Sequence, residues 1–189
     1  YDFNELPKKK DMFKILVVGG RQGAKLFDKK LKKVILNISK KYTLKIIHQT
    51  SEENIENLKS FYSSNNIDNL IFSFNKDFAK IIQETDLCIT RAGASTLAEL
   101  SLLNIPFLAI PLPTSKDNHQ FENARFYKNE NCCWILDQKL FNDKIEEVLK
   151  DILENTVDYS QKKDNLKKLN YQNTWINVNQ KILRVINEN

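Results

Sequence analysis

Phe13-Lys14-Ile15-Leu16-Val17-Val18-Gly19-Gly20-Arg21-Gln22-Gly23-Ala24 carries a mostly apolar, strand-like run straight into a turn of small residues. Further along, Leu87-Cys88-Ile89-Thr90-Arg91-Ala92-Gly93-Ala94-Ser95-Thr96-Leu97-Ala98-Glu99 repeats the arrangement. An apolar run, then residues with little side chain, then helical periodicity reads as strand, tight turn and helix start. The first amides of a helix have no intrahelical acceptor and carry a partial positive charge, and small residues let phosphate oxygens approach them. Two such turns in one chain predict a shared ligand of the nucleoside diphosphate kind.

Working outward, apolar runs of strand length recur at Phe13–Val18, Leu44–His48, Asn69–Phe74, Leu87–Thr90, Phe107–Ile110 and Cys132–Leu136. Between them Leu26, Leu31, Val34, Ile35 and Ile38 fall at helical spacing, as do Ile55, Leu58 and Tyr62. Strands that alternate with helices pair in parallel, so the expected class is α/β, a Rossmann-like doubly wound parallel sheet of about six strands. Such sheets bind ligands beyond the carboxyl ends of their strands, where both small-residue turns fall. After Leu136 the pattern is helical, with one apolar stripe at Phe141, Ile145, Val148, Leu149 and Ile152 and another at Trp175, Val178, Ile182, Val185 and Ile186. Residues 1–12 are polar, contain Pro7 and three consecutive lysines, and read as a linker; the domain is expected to span residues 13–189.

The 189 residues, 41% of them hydrophobic, suit one domain with a buried core. No apolar run is long enough to span a membrane and no export-signal pattern is present, so a cytoplasmic location is expected. Cys88, Cys132 and Cys133 lack metal-ligand spacing and are expected to be buried thiols. The net charge of +5 comes largely from lysine runs such as Lys8–Lys10, dispersed along a Lys-, Asn- and Ile-rich chain, which describes solvated helix faces better than a nucleic-acid surface.

The first turn lacks the G-x-G-x-x-G spacing and the acidic residue that dinucleotide binding requires; its following strand ends in His48-Gln49-Thr50. Nor is there a G-x-x-x-x-G-K-[ST] loop. In the second turn, Glu99 is suited to grip two vicinal ribose hydroxyls, yet Thr96-Leu97-Ala98-Glu99 also fits a capping box, and both readings stand. Pro111–Gln120 follows the fifth strand with donors and acceptors suited to sugar hydroxyls, while Asp117 with Gln120 doubles as a capping pair. Phe74-Asn75 ends the third strand, where an aromatic face suits a flat base or a core position. No aspartate cluster suggests a metal, and no cofactor is expected.

Taken together and in order, these segments resemble the donor-binding half of the MurG family of UDP-N-acetylglucosamine transferases. The family's G-G-S-Q-G-A turn corresponds to Gly19–Ala24, its H-Q-[ST]-G stretch to His48–Ser51, its R-[SA]-G-A-x-T-x-x-E segment to Arg91–Glu99, and its D-x-[QH]-Q-x-x-N-A segment to Asp117–Ala124. The resemblance covers Phe13 to about Asn129. It implies the C-terminal half of a GT-B glycosyltransferase, which converts lipid I to lipid II in peptidoglycan synthesis by an inverting transfer from UDP-N-acetylglucosamine. It also implies roles: Phe74 and Asn75 at the uracil, Glu99 on the ribose, the amides of Gly93, Ala94, Ser95 and Thr96 on the diphosphate, and His119 and Gln120, with Asp117 beside them, at the N-acetylglucosamine ring. Gly19, Gly20, Arg21, Gln22 and Gly23 form the other phosphate-facing turn, and Arg91 is a candidate cation for the leaving group.

The chain departs from the family at Arg21, where a serine is usual, at Ser51, where glycine is usual, and in a slightly longer Pro113–Lys116 loop. The family's G-G-T-G-G-H loop, which carries the proposed general base, is not among these residues, so a missing N-terminal domain or a partner chain would supply the base, the lipid I site and any peripheral contact with the inner membrane. Other functions stay open at this point: another UDP-sugar transferase of the same fold, such as a glycolipid galactosyltransferase or a two-chain dolichol-pathway enzyme, a non-catalytic sugar-nucleotide sensor, or a nucleic-acid-binding module.

Overall fold

The computed structural model describes residues 12–20 and 25–172. Arg21–Ala24 of the first turn, most of the expected linker and the Trp175–Ile186 stripe lie outside those residues.

Six parallel strands form one sheet: β1 (Phe13–Val18), β2 (Leu44–Gln49), β3 (Asp68–Phe72), β4 (Leu87–Thr90), β5 (Phe107–Ala109) and β6 (Cys133–Ile135), in the order β3-β2-β1-β4-β5-β6. The expected doubly wound fold is thus observed. Each strand continues into a helix: α1 (Lys32–Ser39), entered through a π-helical turn at Phe27–Leu31, α2 (Ile55–Ser64), α3 (Phe78–Gln83), α4 (Ala94–Leu102), α5 (His119–Asn129) and α6 (Phe141–Glu154), with α7 (Thr156–Gln172) following α6.

The side-chain alternation of β1 explains the layering. Ile15 and Val17 enter one buried cluster with Ile35 and Ile38 of α1, Leu58 and Tyr62 of α2, and Phe141, Ile145, Leu149 and Ile152 of α6. Leu16 and Val18 enter the other with Ile82 of α3, Leu97 and Leu100 of α4, Ala124 of α5, and Leu166 and Leu169 of α7. Strands buried on both faces read as continuous apolar runs, which is why β1 and β4 stand out in the sequence.

Helices α1 and α2 thus cover one face and α3, α4 and α5 the other, with α6 returning to the first face and α7 to the second. The chain reverses its direction of travel at the β1/β4 boundary, and the two strand ends diverge into a crevice. In register, Val18 pairs with Thr90, so both small-residue turns leave the sheet side by side. The Arg91 amide donates to Val18 O at 3.2 Å, continuing the pairing one residue past the strands.

All three cysteines are buried free thiols. Burial pushes the Cys88 and Cys133 thiols well up and Cys132 to about 11, leaving little thiolate at neutral pH.

Candidate functional site at the β1/β4 switch point

The β4–α4 turn is the centre of the site. Gly93 is the N-cap of α4, in extended backbone (φ −68, ψ 134), and the first intrahelical bond runs from Leu97 N to Gly93 O at 3.1 Å. No side chain caps the helix. The amides of Gly93, Ala94, Ser95 and Thr96 thus have no hydrogen-bond acceptor among the described residues, and Ala94 and Ser95 are exposed. Such an end is an anion site in waiting. A Cβ built on Gly93 would meet nothing within 4 Å, and its φ suits any residue. Neither packing nor conformation requires this glycine; what it provides is open space above the amides.

This geometry removes the capping reading of Glu99. Counting from Ala94, Thr96 is the third helical residue and Glu99 the sixth, too far along to reach the N-cap amide. Its exposed carboxylate has no hydrogen bond or ion pair among the described residues.

Gly19 and Gly20 end β1 beside this turn, with Gly19 buried and Gly20 exposed at φ +61, a left-handed conformation that glycine adopts without strain. Arg21, Gln22 and Gly23 fall outside the described residues.

The third wall is the β5–α5 loop. Asp117 (φ 49) and Asn118 (φ 55) are consecutive left-handed residues, a conformation short polar side chains tolerate, and they swing the chain into α5. The expected Asp117–Gln120 capping pair does not form: α5 starts at His119, and Gln120 instead reaches back, its Oε1 accepting from the Leu112 amide at 3.0 Å. His119 is exposed, and its Nδ1 donates to Lys116 O at 2.6 Å. Asn123, one turn further, donates to Ala92 O at 3.0 Å and ties α5 to the phosphate-side turn. Sequence reading quoted Asn123 within its motif but assigned it no role; its signal is the one-turn spacing from Gln120, which sets both on one helix face.

Phe74 and Asn75 follow β3 on the far side of β1. Phe74 is 76% exposed, and Asn75 Oδ1 accepts from the Asp77 amide at 2.8 Å, so the side chain shapes the turn. From β3 to β4 is three inter-strand spacings, roughly 14 Å along the sheet edge. An exposed aromatic ring and a row of free amides thus share one carboxyl edge, three strands apart.

Arg91, the candidate cation for the leaving group, is buried. It is only 7% exposed; Nη1 donates to Ile110 O at 2.9 Å, with Pro111 O at 3.5 Å, and the guanidinium stacks 5.0 Å over the Phe27 ring. Burial lowers its pKa to about 10, so it stays cationic at neutral pH. It lies beneath the crevice floor.

A polar cluster missed in the sequence braces the neighbouring strand end. Asp28, in the π-helical turn, accepts at Oδ2 from Thr50 Oγ1 at 2.8 Å and from Asn54 Nδ2 at 3.0 Å. Its Oδ1 lies 3.1 Å from fully buried His48 Nε2, close but not aligned as a hydrogen bond, and Tyr62 Oη sits 3.5 Å from His48 Nδ1. Burial first, and then the Asp28 charge, hold the Tyr62 phenol in its neutral form.

These features define a doubly wound domain with an uncapped helix start at its switch point, an exposed aromatic ring after β3 on one side and the polar β5–α5 loop on the other. The chain belongs to glycosyltransferase family 28, whose C-terminal domain matches residues 14–174. It is 50% identical over 190 residues to the UDP-N-acetylglucosamine–N-acetylmuramyl-(pentapeptide) pyrophosphoryl-undecaprenol N-acetylglucosamine transferase of Pelagibacter ubique (strain HTCC1062), covering 100% of this chain and 53% of that protein. The enzyme of the same name from Rickettsia bellii (strain RML369-C) is 35% identical over 147 residues, 76% of this chain and 41% of that protein. The chain thus spans about half the length of the curated relatives it matches. Its structure superposes on Acinetobacter baumannii MurG with a TM-score of 0.73 at 28% identity, covering 82% of this chain and 45% of that one. The expected family and GT-B-type fold are therefore those observed.

Proposed function

We propose that this chain is the donor-binding half of the N-acetylglucosaminyltransferase that converts lipid I to lipid II, holding UDP-N-acetylglucosamine along the carboxyl edge of its sheet. The uncapped α4 N-terminus, with the unpartnered Glu99 carboxylate less than two turns along, carries the reading. In it, the amides of Gly93 to Thr96 and the Gly19–Gly23 turn, with Arg21 and Gln22, receive the diphosphate. Glu99 binds the ribose hydroxyls, Phe74 and Asn75 flank the uracil, and Asp117, His119 and Gln120 face the sugar.

Chemically the domain would serve the leaving group. As the acceptor hydroxyl attacks the anomeric carbon, negative charge builds on the departing UDP, and fixed amides aimed there stabilise it without reorganising. The base that activates the hydroxyl and the lipid I site belong to the half of the enzyme beyond these residues, with residues 1–12 as the linker to it and contact with the cytoplasmic face of the membrane made through that whole enzyme.

Calorimetric titration with UDP-N-acetylglucosamine tests this directly: the 189-residue chain should bind UDP and its N-acetylglucosamine conjugate while leaving lipid I unconverted. Glu99→Ala should weaken UDP binding roughly tenfold or more, the worth of a charged hydrogen bond, with little change in melting temperature. A melting loss with unchanged affinity would return Glu99 to a structural role, and tight binding of another nucleotide with none of UDP would defeat the assignment.

A further inference from the structure

Arg91 holds a position that contact with a ligand does not explain. It is an almost fully buried cation with no carboxylate partner among the described residues, and its Nε has no hydrogen-bond acceptor there. Burying an unpaired charge is costly, and salt-bridged or solvent-facing alternatives are the norm. The residue nonetheless joins three elements around the switch point. Its backbone pairs with Val18 O just before Gly19, its Nη1 holds the Ile110 and Pro111 carbonyls where the β5–α5 loop departs, and its guanidinium lies on Phe27, in the turn that follows the first small-residue loop. Two residues on stands Gly93, with the free amides of α4 behind it.

We propose that Arg91 is a positioning residue for the diphosphate. Its planar fork ties the β4 turn to the start of the β5–α5 loop, and its charge, which has no carboxylate partner among the described residues, biases the crevice toward anions without touching the ligand. A cation enclosed by apolar walls projects its field into the adjacent cleft more strongly than one in water. The inference rests on the donor-site reading above and adds to it which group tunes the phosphate end. Phe74, three strand spacings away, is not linked to Arg91, so the base end should be insensitive.

The test compares UDP with uridine on the 189-residue chain, by calorimetry and ligand-observed NMR, for the unaltered protein, Arg91→Met and Arg91→Lys. Arg91→Met keeps the length and the stacking on Phe27 but loses charge and fork; UDP affinity should fall roughly tenfold or more while uridine changes little. Arg91→Lys restores a charge without the two-carbonyl fork and should recover part of the UDP affinity. Should Arg91→Met fail to fold, with two carbonyls left without a donor, Arg91→Lys still decides: a selective loss of UDP affinity supports the proposal. Equal losses for UDP and uridine, or unchanged UDP affinity in a folded variant, overturn it. Failure of the unaltered chain to bind UDP would instead overturn the donor-site reading and this inference with it.

Discussion

Substituting Gly93 separates binding from stability more cleanly than any other change at this site. An added Cβ meets nothing within 4 Å, and φ −68 with ψ 134 lies in a region alanine favours. Alanine is a poorer N-cap than glycine by something under about 1 kcal/mol, and the reduced freedom of the unfolded chain returns about 0.4–1 kcal/mol, so Gly93→Ala should leave stability nearly unchanged. Ligand binding is another matter. A methyl group above the free amides of Ala94 and Ser95 holds a phosphate oxygen away from them, and each charge-assisted hydrogen bond lost is worth about 1.5–3 kcal/mol, or more than tenfold in affinity. Gly93→Ser sharpens the contrast, because a serine hydroxyl can cap the second or third helical amide and stabilise α4 by about a few tenths of a kcal/mol while competing with the ligand for the same donors. Differential scanning calorimetry and UDP titration on the same samples read both effects. The expected pattern is unchanged melting and weak binding for alanine, and raised melting and weak binding for serine. If both variants fold and bind UDP as the unaltered chain does, the amides do not hold the diphosphate.

Two further predictions concern the supports of the site. Asp28→Ala strands the buried Thr50 hydroxyl, at about 1–3 kcal/mol, while Asn54 Nδ2 keeps Ser51 Oγ at 3.3 Å; Asp28→Asn keeps an acceptor and should lose less, and melting temperatures equal to that of the unaltered chain for both would show that the cluster contributes nothing. At Asp158, burial raises the carboxyl pKa, but hydrogen bonds from Lys162 and Trp134 outweigh it and hold the value below the ordinary 3.8. A carboxylate depressed in the folded state contributes stability that is present above pH 3.8 and is lost as pH falls through the folded value, so Asp158→Asn should flatten the acid limb of a stability-versus-pH curve; a parallel limb would refute the pairing.

The central strands were legible because β4 and β5 are wholly buried and β1 is buried from Ile15 to Val18, so composition marks them, whereas edge strand β3 buries only Phe72. Strand ends were less legible. The third run reads as Asn69–Phe74, but β3 stops at Phe72, where Thr50 N takes the Phe72 carbonyl and Gln49 takes that of Ser73. The two capping boxes misled for one physical reason. A four-residue pattern fits several frames, and the frame of α4 is set by β4's register against β1 and by Asn123 gripping Ala92 O, contacts between residues far apart in sequence. Arg91 was visible as a cation near the turn, but its burial was not, because the ring beneath it and the carbonyls beside it come from Phe27, Ile110 and Pro111. Asp28 went unnoticed within a lysine-rich helix for the same reason, since its partners Thr50 and Asn54 lie beyond the next strand.

Each unusual choice at the crevice is locally unfavourable, and together they have a direction. A glycine N-cap forgoes about a few tenths of a kcal/mol, an arginine buried without a carboxylate partner among the described residues costs more, and two successive left-handed residues at Asp117 and Asn118 add strain. Local sequence preference would remove all three. They persist because the layers beneath over-determine them: every residue of β4 is buried, Leu97 and Leu100 anchor α4, and Gln120 and Asn123 fasten α5 to the loops on either side. The folding energy of the sheet thus holds donors and charge in an arrangement that water would otherwise disperse, so that a ligand entering the crevice meets dipoles already aligned. A domain evolved for stability alone would place serine at position 93 and a carboxylate beside Arg91, and each of those changes would fill the space or cancel the charge on which the proposed anion binding depends.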